Sequence, residues 1–249
     1  MLMQPQKVTQ DLAKQHNKRL ILKTIYDEEP LSRADIARST KLTRTTVSNV
    51  VTELMEEGLV QESGQAPSGG GKPPTLLQMI PDARNVIGVD LSGEELRGTV
   101  YDLRGEALHQ LTMPLLAETG QDVLEDLYQL LEQLADKAAA PLLGIGIGTP
   151  GLVNAQEGII HVAVHLNWED VPLRQLLEER FQLPVYVVND SQAAALAQHT
   201  FDNEAAVNDI AVVKVGRGIS AGIILNGQLH HGGNNSGASE IGHVRVVEG

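Results

Sequence analysis

Apolar residues in the first sixty positions recur at helical spacing in three separate runs. Leu12, Leu20, Ile21 and Ile25 predict a first helix over about Val8 to Asp27, ended by the Glu28-Glu29-Pro30 stretch. Ser32 stands three residues before Asp35, the spacing of a capping box. It opens a short second helix through Ile36 and Ala37 to about Thr40. Thr43 caps a third helix, whose Val47, Val50, Val51, Leu54 and Met55 share one face and which stops near Gly58. Three or four residues separate the second helix from the third. The small Ala37 sits where the two must cross, and Leu42, Val47 and Val50 fill the wedge, which is the helix-turn-helix arrangement. Lys41 occupies a position where such turns often place glycine.

The other face of the third helix carries Arg44, Thr45, Thr46, Ser48, Asn49 and Thr52, whose donors and acceptors have the reach for base edges and phosphates. Taken alone, that face could equally be the solvated side of an ordinary three-helix bundle. The segment after the helix tips the reading toward DNA. Leu59–Glu62 and Thr75–Ile80 read as two strands around Gly64–Pro74, a tip too rich in glycine and proline to be a strand, with Lys72 placed to reach a phosphate or a minor groove. The first 80 residues are therefore expected to form a winged helix-turn-helix domain.

From Val86 the rhythm becomes α/β. Strands are expected at Val86–Leu91, Arg97–Leu103, Glu106–Met113, Leu142–Ile147, Val185–Val188, Ile210–Val215 and Gly222–Leu225. Helices are expected over residues 120–138, Val171–Glu179 and Ser191–His199, with a turn at Asp102–Gly105 and a loop over Gly216–Gly222. Residues 81–249 form the second predicted domain.

Charge sharpens this division. The chain carries a net −13 at pH 7, which by itself argues against nucleic acid. Residues 1–80 hold 10 Lys+Arg against 9 Asp+Glu, a net of +1; residues 81–249 hold 9 against 23, a net of −14. The near-neutral module is thus the one able to approach DNA. There is no cysteine, which excludes disulfides and any zinc site needing a thiolate from these residues. With no apolar run of membrane-spanning length and no secretory pattern at the N-terminus, a cytoplasmic protein that does not enter membranes is expected.

Several segments together carry a family resemblance: GIGIGTPG (Gly144–Gly151), HLNWEDVPL (His165–Leu173), VYVVNDSQAAALA (Val185–Ala197), ISAGIILNGQLHHGGNNSGASEIGH (Ile219–His243) and the winged helix with its GGGKPPTLL stretch. In that order, over nearly the whole chain, they resemble the ROK family of repressors and sugar kinases, specifically its xylose and N-acetylglucosamine repressor type. The resemblance implies an actin-like, ribonuclease-H-like fold behind the winged helix. It also implies a duplex DNA operator, a monosaccharide effector and a homodimer or higher homo-oligomer. The sugar contacts carried over are Asn189, Asp190, Glu240 and His243. The chemistry agrees: a polyol needs carboxylates and amides converging at strand ends. Gly151 would let backbone approach the ligand, and Asn167 could add an amide. Asn189-Asp190 could also simply cap the next helix.

A sugar kinase with an accessory winged helix is the alternative. Family kinases carry Asp-x-Gly-Gly-Thr after the first strand, where this chain reads Asp90-Leu91-Ser92-Gly93-Glu94, with a carboxylate that would repel a triphosphate. The second phosphate loop is also altered, at Gly216-Arg217-Gly218-Ile219-Ser220-Ala221-Gly222. Asp190 matches the family's catalytic base and is read here as a sugar contact; no catalytic residue is expected. The family continues into a Cys-x-Cys-Gly-x-x-Gly-Cys zinc element sharing the histidine that corresponds to His243. This chain ends at Gly249, before that element, so no metal or other cofactor is expected in it.

Overall fold

The capping box at Ser32 closes as its spacing requires. Ser32 Oγ accepts from the Asp35 amide at 3.3 Å, and the Asp35 carboxylate accepts from the Ser32 amide at 3.0 Å. This local event lies in a computed structural model that describes residues 10–67, 73–116, 118–201, 207–216, 218–232 and 241–243. Two units emerge, Met1–Ala83 and Arg84–Gly249.

The first unit runs α1 (Gln10–Glu28), β1 (Leu31–Ser32), α2 (Arg33–Thr40), α3 (Arg44–Glu56), β2 (Val60–Gln65) and β3 (Thr75–Met79). Lys41 takes a left-handed conformation, φ 58°, at the end of α2. Glycine would adopt it freely; lysine does so at a cost of roughly 1–2 kcal/mol. Thr43 Oγ1 then accepts from the Thr46 amide at 3.1 Å and starts α3. Ile21, Ile25, Ile36, Val47, Val50, Val51, Leu54, Val60 and Leu77 form one buried cluster, each contributing about 1.5–3 kcal/mol of transfer energy if fully buried. Outside that cluster, Lys14 and Lys18 of α1 pair with Glu53 of α3, and Lys18 also with Glu57. Chiefly the Glu57 hydrogen bond holds the Lys18 ammonium above its ordinary pKa.

Two features of this unit depart from the sequence expectation. Leu31–Ser32 adds a strand, giving the order β1-β3-β2, with Leu31 opposite Leu77. And β2 runs past a bulge between Glu62 and Gly64 to Gln65, which pairs with Thr75. The ladder takes up Ser63 as the extra residue and resumes with Gly64 opposite Leu76, so part of the expected loop is strand. Lys72 lies outside the described residues.

The second unit builds its principal sheet from β4 (Asn85–Asp90), β5 (Glu95–Tyr101), β6 (Ala107–Pro114), β7 (Leu142–Thr149) and β11 (Val185–Asn189), in the order β11-β7-β4-β5-β6. β4, β7 and β11 are parallel, while β5 and β6 extend the sheet antiparallel. α4 (Gly120–Lys137) buries Leu127, Leu130, Leu131 and Leu134 in the same core as Leu96 and Val100 of β5. β8 (Leu152–Asn154), β9 (Ile159–Ala163) and β10 (Trp168–Val171) form a small antiparallel sheet before α5 (Leu173–Phe181). α6 (Asp190–Phe201) packs on a third sheet, β12 (Ile210–Val215), β13 (Ile219–Leu225) and β14 (Gln228–Leu229).

The β8–β10 sheet was not anticipated. Val171, expected to open a helix, instead ends β10, because the ring of Pro172 holds the preceding residue extended. The expected Gly216–Gly222 loop is shorter than read: Ile219 already pairs with Val215. At Gly222 a Cβ would lie 2.0 Å from the Ser191 carbonyl oxygen, so this glycine lets β13 approach α6. Among the described residues, no helix is long and apolar enough to cross a membrane.

Candidate functional site

In the second unit, the parallel strands β4, β7 and β11 finish side by side, with Asp90 opposite Gly148 and Asn189 opposite Thr149. Open α/β sheets bind ligands at such carboxyl ends. A cavity of about 700 Å³ lies there, lined by Ser92, Gly151, His165, Asn189, Asp190 and Lys214, among others.

Asn189 is 3% exposed, and its amide is engaged at both ends. Its Nδ2 donates to the Gly151 carbonyl at 3.0 Å, while its Oδ1 accepts from the Ser191 amide at 3.0 Å and the Ser191 hydroxyl at 2.5 Å. It therefore caps α6 and clasps the Gly151 loop at once. One amide N–H remains beyond these bonds. Asp190 Oδ1 also accepts from the Ser191 amide, at 2.8 Å. Its Oδ2 accepts from Lys214 Nζ at 2.6 Å, and the same ammonium donates to Ser92 Oγ at 2.6 Å. Ser92 is fixed in turn by its amide, which donates to Asp90 Oδ1 at 2.9 Å.

Gly151 has φ +88°. A Cβ there would lie 2.0 Å from the Val162 carbonyl oxygen, so strand β9, rather than a ligand alone, demands the glycine. Asn167 does not join the cavity lining. It closes a short 3₁₀ turn at φ 53°, and its Nδ2 donates to the Glu118 carbonyl at 3.2 Å, which turns the amide to a structural task. Gly242, within the 3₁₀ turn Ile241–His243, borders the cavity, whereas Glu240 lies outside the described residues.

Lys214 and His165 were missed as lining residues. Lys214 left a trace in the sequence: one cation in the apolar strand IAVVKV, on the same alternating face as Ile210 and Val212. Its partners, 24 and 122 residues away, left none.

On the first unit, Arg44, Thr45, Ser48, Asn49 and Thr52 are exposed along α3. Thr46 is placed differently: it is half-buried, and its hydroxyl lies 2.9 Å from Thr43 Oγ1 inside the cap. Among ionisable groups near this surface, the Ser32 hydroxyl and amide beside Asp35 hold its carboxyl below the usual carboxylate value, with Arg38 adding to the effect.

A zinc element of the kind the family carries needs thiolates, and the sequence contains none. Among the described residues no group of three His, Cys, Asp or Glu is placed to hold a metal ion. These residues do not fit such a centre.

Residues 86–248 match the model of the ROK family, and residues 14–61 match a winged helix-turn-helix DNA-binding model. A xylose repressor of Caldicellulosiruptor bescii is 37% identical over 239 residues, covering 94% of this chain and 60% of the relative. An N-acetylglucosamine repressor of Escherichia coli O157:H7 is 34% identical over 241 residues, covering 95% and 59%. The chain thus spans about 60% of the length of these curated relatives. The crystal structure of a ROK family transcriptional regulator, a homologue of the E. coli MLC protein, superposes with a TM-score of 0.81 at 27% identity, covering 94% of this chain and 60% of that one. The chain belongs to the ROK family, with a winged helix-turn-helix domain ahead of its actin-like α/β domain.

Proposed function

We propose that this chain is a DNA-binding transcriptional regulator, a repressor of carbohydrate-utilisation genes that answers to a monosaccharide. The observation that carries this reading is the pairing, in one chain, of two features. One is a capped α3 with Arg44, Thr45, Ser48 and Asn49 exposed. The other is a cavity at the sheet ends containing Asn189 and Asp190. The names of the two relatives, repressors for xylose and N-acetylglucosamine, point the same way. Duplex DNA would meet the outward face of α3, with Lys72 at the wing tip. The sugar would meet Asp190 and the free N–H of Asn189, with Gly151, Glu240 and His243 around it. In a homodimer or higher oligomer, a sugar that prefers one domain arrangement would change how two winged helices present themselves to two half-sites. A coupling of about 1–3 kcal/mol is typical of such switches.

The kinase reading is weaker. Glu94 places a carboxylate after the first strand, where a triphosphate would meet repulsion. β13 already begins at Ile219, inside the segment that corresponds to the second phosphate loop of the kinases.

The test is fluorescence anisotropy on duplexes selected from a random pool, across a salt series, with and without D-xylose and N-acetyl-D-glucosamine. Binding is expected to fall steeply with salt and to weaken with one sugar. Absence of duplex binding at low salt refutes the DNA half. DNA binding that no monosaccharide alters refutes the sensor half.

A further inference from the structure

The Lys214 ammonium offers three N–H donors. Two are engaged, by Asp190 Oδ2 and Ser92 Oγ, each at 2.6 Å. The side chain is nevertheless 40% exposed and lines the cavity. Opposite it, the Asp190 side chain is only 11% exposed. Each of the two carboxylate oxygens accepts a described hydrogen bond, one from the Ser191 amide and one from Lys214. A carboxylate offers about four acceptor sites in all, so further capacity remains on both oxygens. One donor and at least one acceptor therefore sit side by side on a fixed, charge-paired platform. The cation and anion cancel, so the platform favours a neutral ligand over an ionic one.

A vicinal diol matches this arrangement. One hydroxyl oxygen accepts from the ammonium, and the neighbouring hydroxyl donates to the carboxylate. We infer that Lys214 is a ligand-contacting residue of the sugar cavity, forming with Asp190 a clamp for two adjacent hydroxyls of a neutral monosaccharide. Ser92 and the Ser191 amide hold the clamp's two halves from outside. The inference rests on the sugar reading above and adds to it a residue, a ligand group and a geometry.

The experiment is calorimetric titration of the chain with D-xylose, D-glucose and N-acetyl-D-glucosamine. The monodeoxy forms of whichever sugar binds tightest are then titrated against wild type and Lys214→Met. Wild type should lose roughly ten- to a hundred-fold in affinity for one monodeoxy form, the range for a hydrogen bond to a charged group. Lys214→Met should bind the parent sugar weakly and no longer distinguish it from that monodeoxy form. A merely structural lysine would lower affinity for both alike. Should Lys214→Met fail to fold, Lys214→Arg carries the same comparison. Arginine keeps the charge opposite Asp190 but presents its donors in a flat fork, and discrimination at that position should fall several-fold. Full discrimination retained in a folded variant overturns the Lys214 assignment and leaves the sugar reading standing. If wild type binds none of the sugars, the sugar reading itself falls, and the clamp with it.

Discussion

Replacing Asn189 with alanine removes three hydrogen bonds from a site that is 3% exposed. The Ser191 amide keeps a partner, because Asp190 Oδ1 accepts from it at 2.8 Å. The Gly151 carbonyl and the Ser191 hydroxyl lose theirs, and Ser191 is fully buried. Each buried polar group left unpaired costs about 1–3 kcal/mol, so the variant should be destabilised by about 2–5 kcal/mol. Trp168 is the one tryptophan of the chain, 4% exposed in the second unit, with Nε1 donating to the Gly120 carbonyl at 2.7 Å. Its fluorescence during urea unfolding therefore reports this unit without interference from the first. With a urea slope of about 2 kcal/mol per molar, the midpoint should drop by roughly 1–2.5 M. Asn189→Asp keeps an acceptor for Ser191 but turns a carboxylate oxygen toward the Gly151 carbonyl, and should be no milder at neutral pH. A change below about 0.5 kcal/mol for Asn189→Ala would show that packing of Gly151 against Val162, and not the amide clasp, shapes the cavity rim.

Arg44→Ala should weaken binding to a selected duplex by about 1–3 kcal/mol if Arg44 reads a base, measured by anisotropy at fixed salt; unchanged affinity removes it from the interface. The Asp35 carboxyl is held low by Ser32, so its stabilisation is present above the unfolded value of about 4 and lost as pH falls through the folded one. Asp35→Asn should therefore speed hydrogen exchange in peptides from α2 and α3 at pH 7, with the difference closing in acid; a gap that widens in acid contradicts the sign. Leu127→Ala, at a fully buried position of α4, should cost about 2–5 kcal/mol by Trp168 fluorescence in urea. A coupled ATP assay with common hexoses, hexosamines and pentoses should stay at background, and turnover near the roughly 10 per second typical of enzymes would restore the kinase reading.

Much of the first unit was legible locally. Ser32 with Asp35, and Thr43 ahead of Val47, Val50, Val51 and Leu54, are relations between residues three to eleven apart, and a helix forms from contacts at that range. Lys41, standing where such turns often carry glycine, takes the left-handed conformation itself. The three parallel strands of the principal sheet, β4, β7 and β11, were legible for a similar reason: a buried strand is written as a short, largely apolar run. Asn189 and Asp190 could be found because a polar pair directly after such a run must emerge at a sheet end.

Other features were decided only when distant segments met. Leu31–Ser32 became a strand because β3 offered an edge, and Gln65 because the β2–β3 ladder carried on past a bulge. β8, β9 and β10 are three to five residues each, too short for alternation to declare itself, and stand through pairing with one another. Asn167 donates to the Glu118 carbonyl 49 residues away, a contact that no local pattern announces. Lys214, a lone cation within strand β12, stands between Ser92 and Asp190 only because β12 packs against α6. Capping and periodicity are short-range interactions that the chain spells out in order. The partner of a buried charge is chosen by tertiary packing, because desolvation demands a counter-charge from whichever segment the fold brings near.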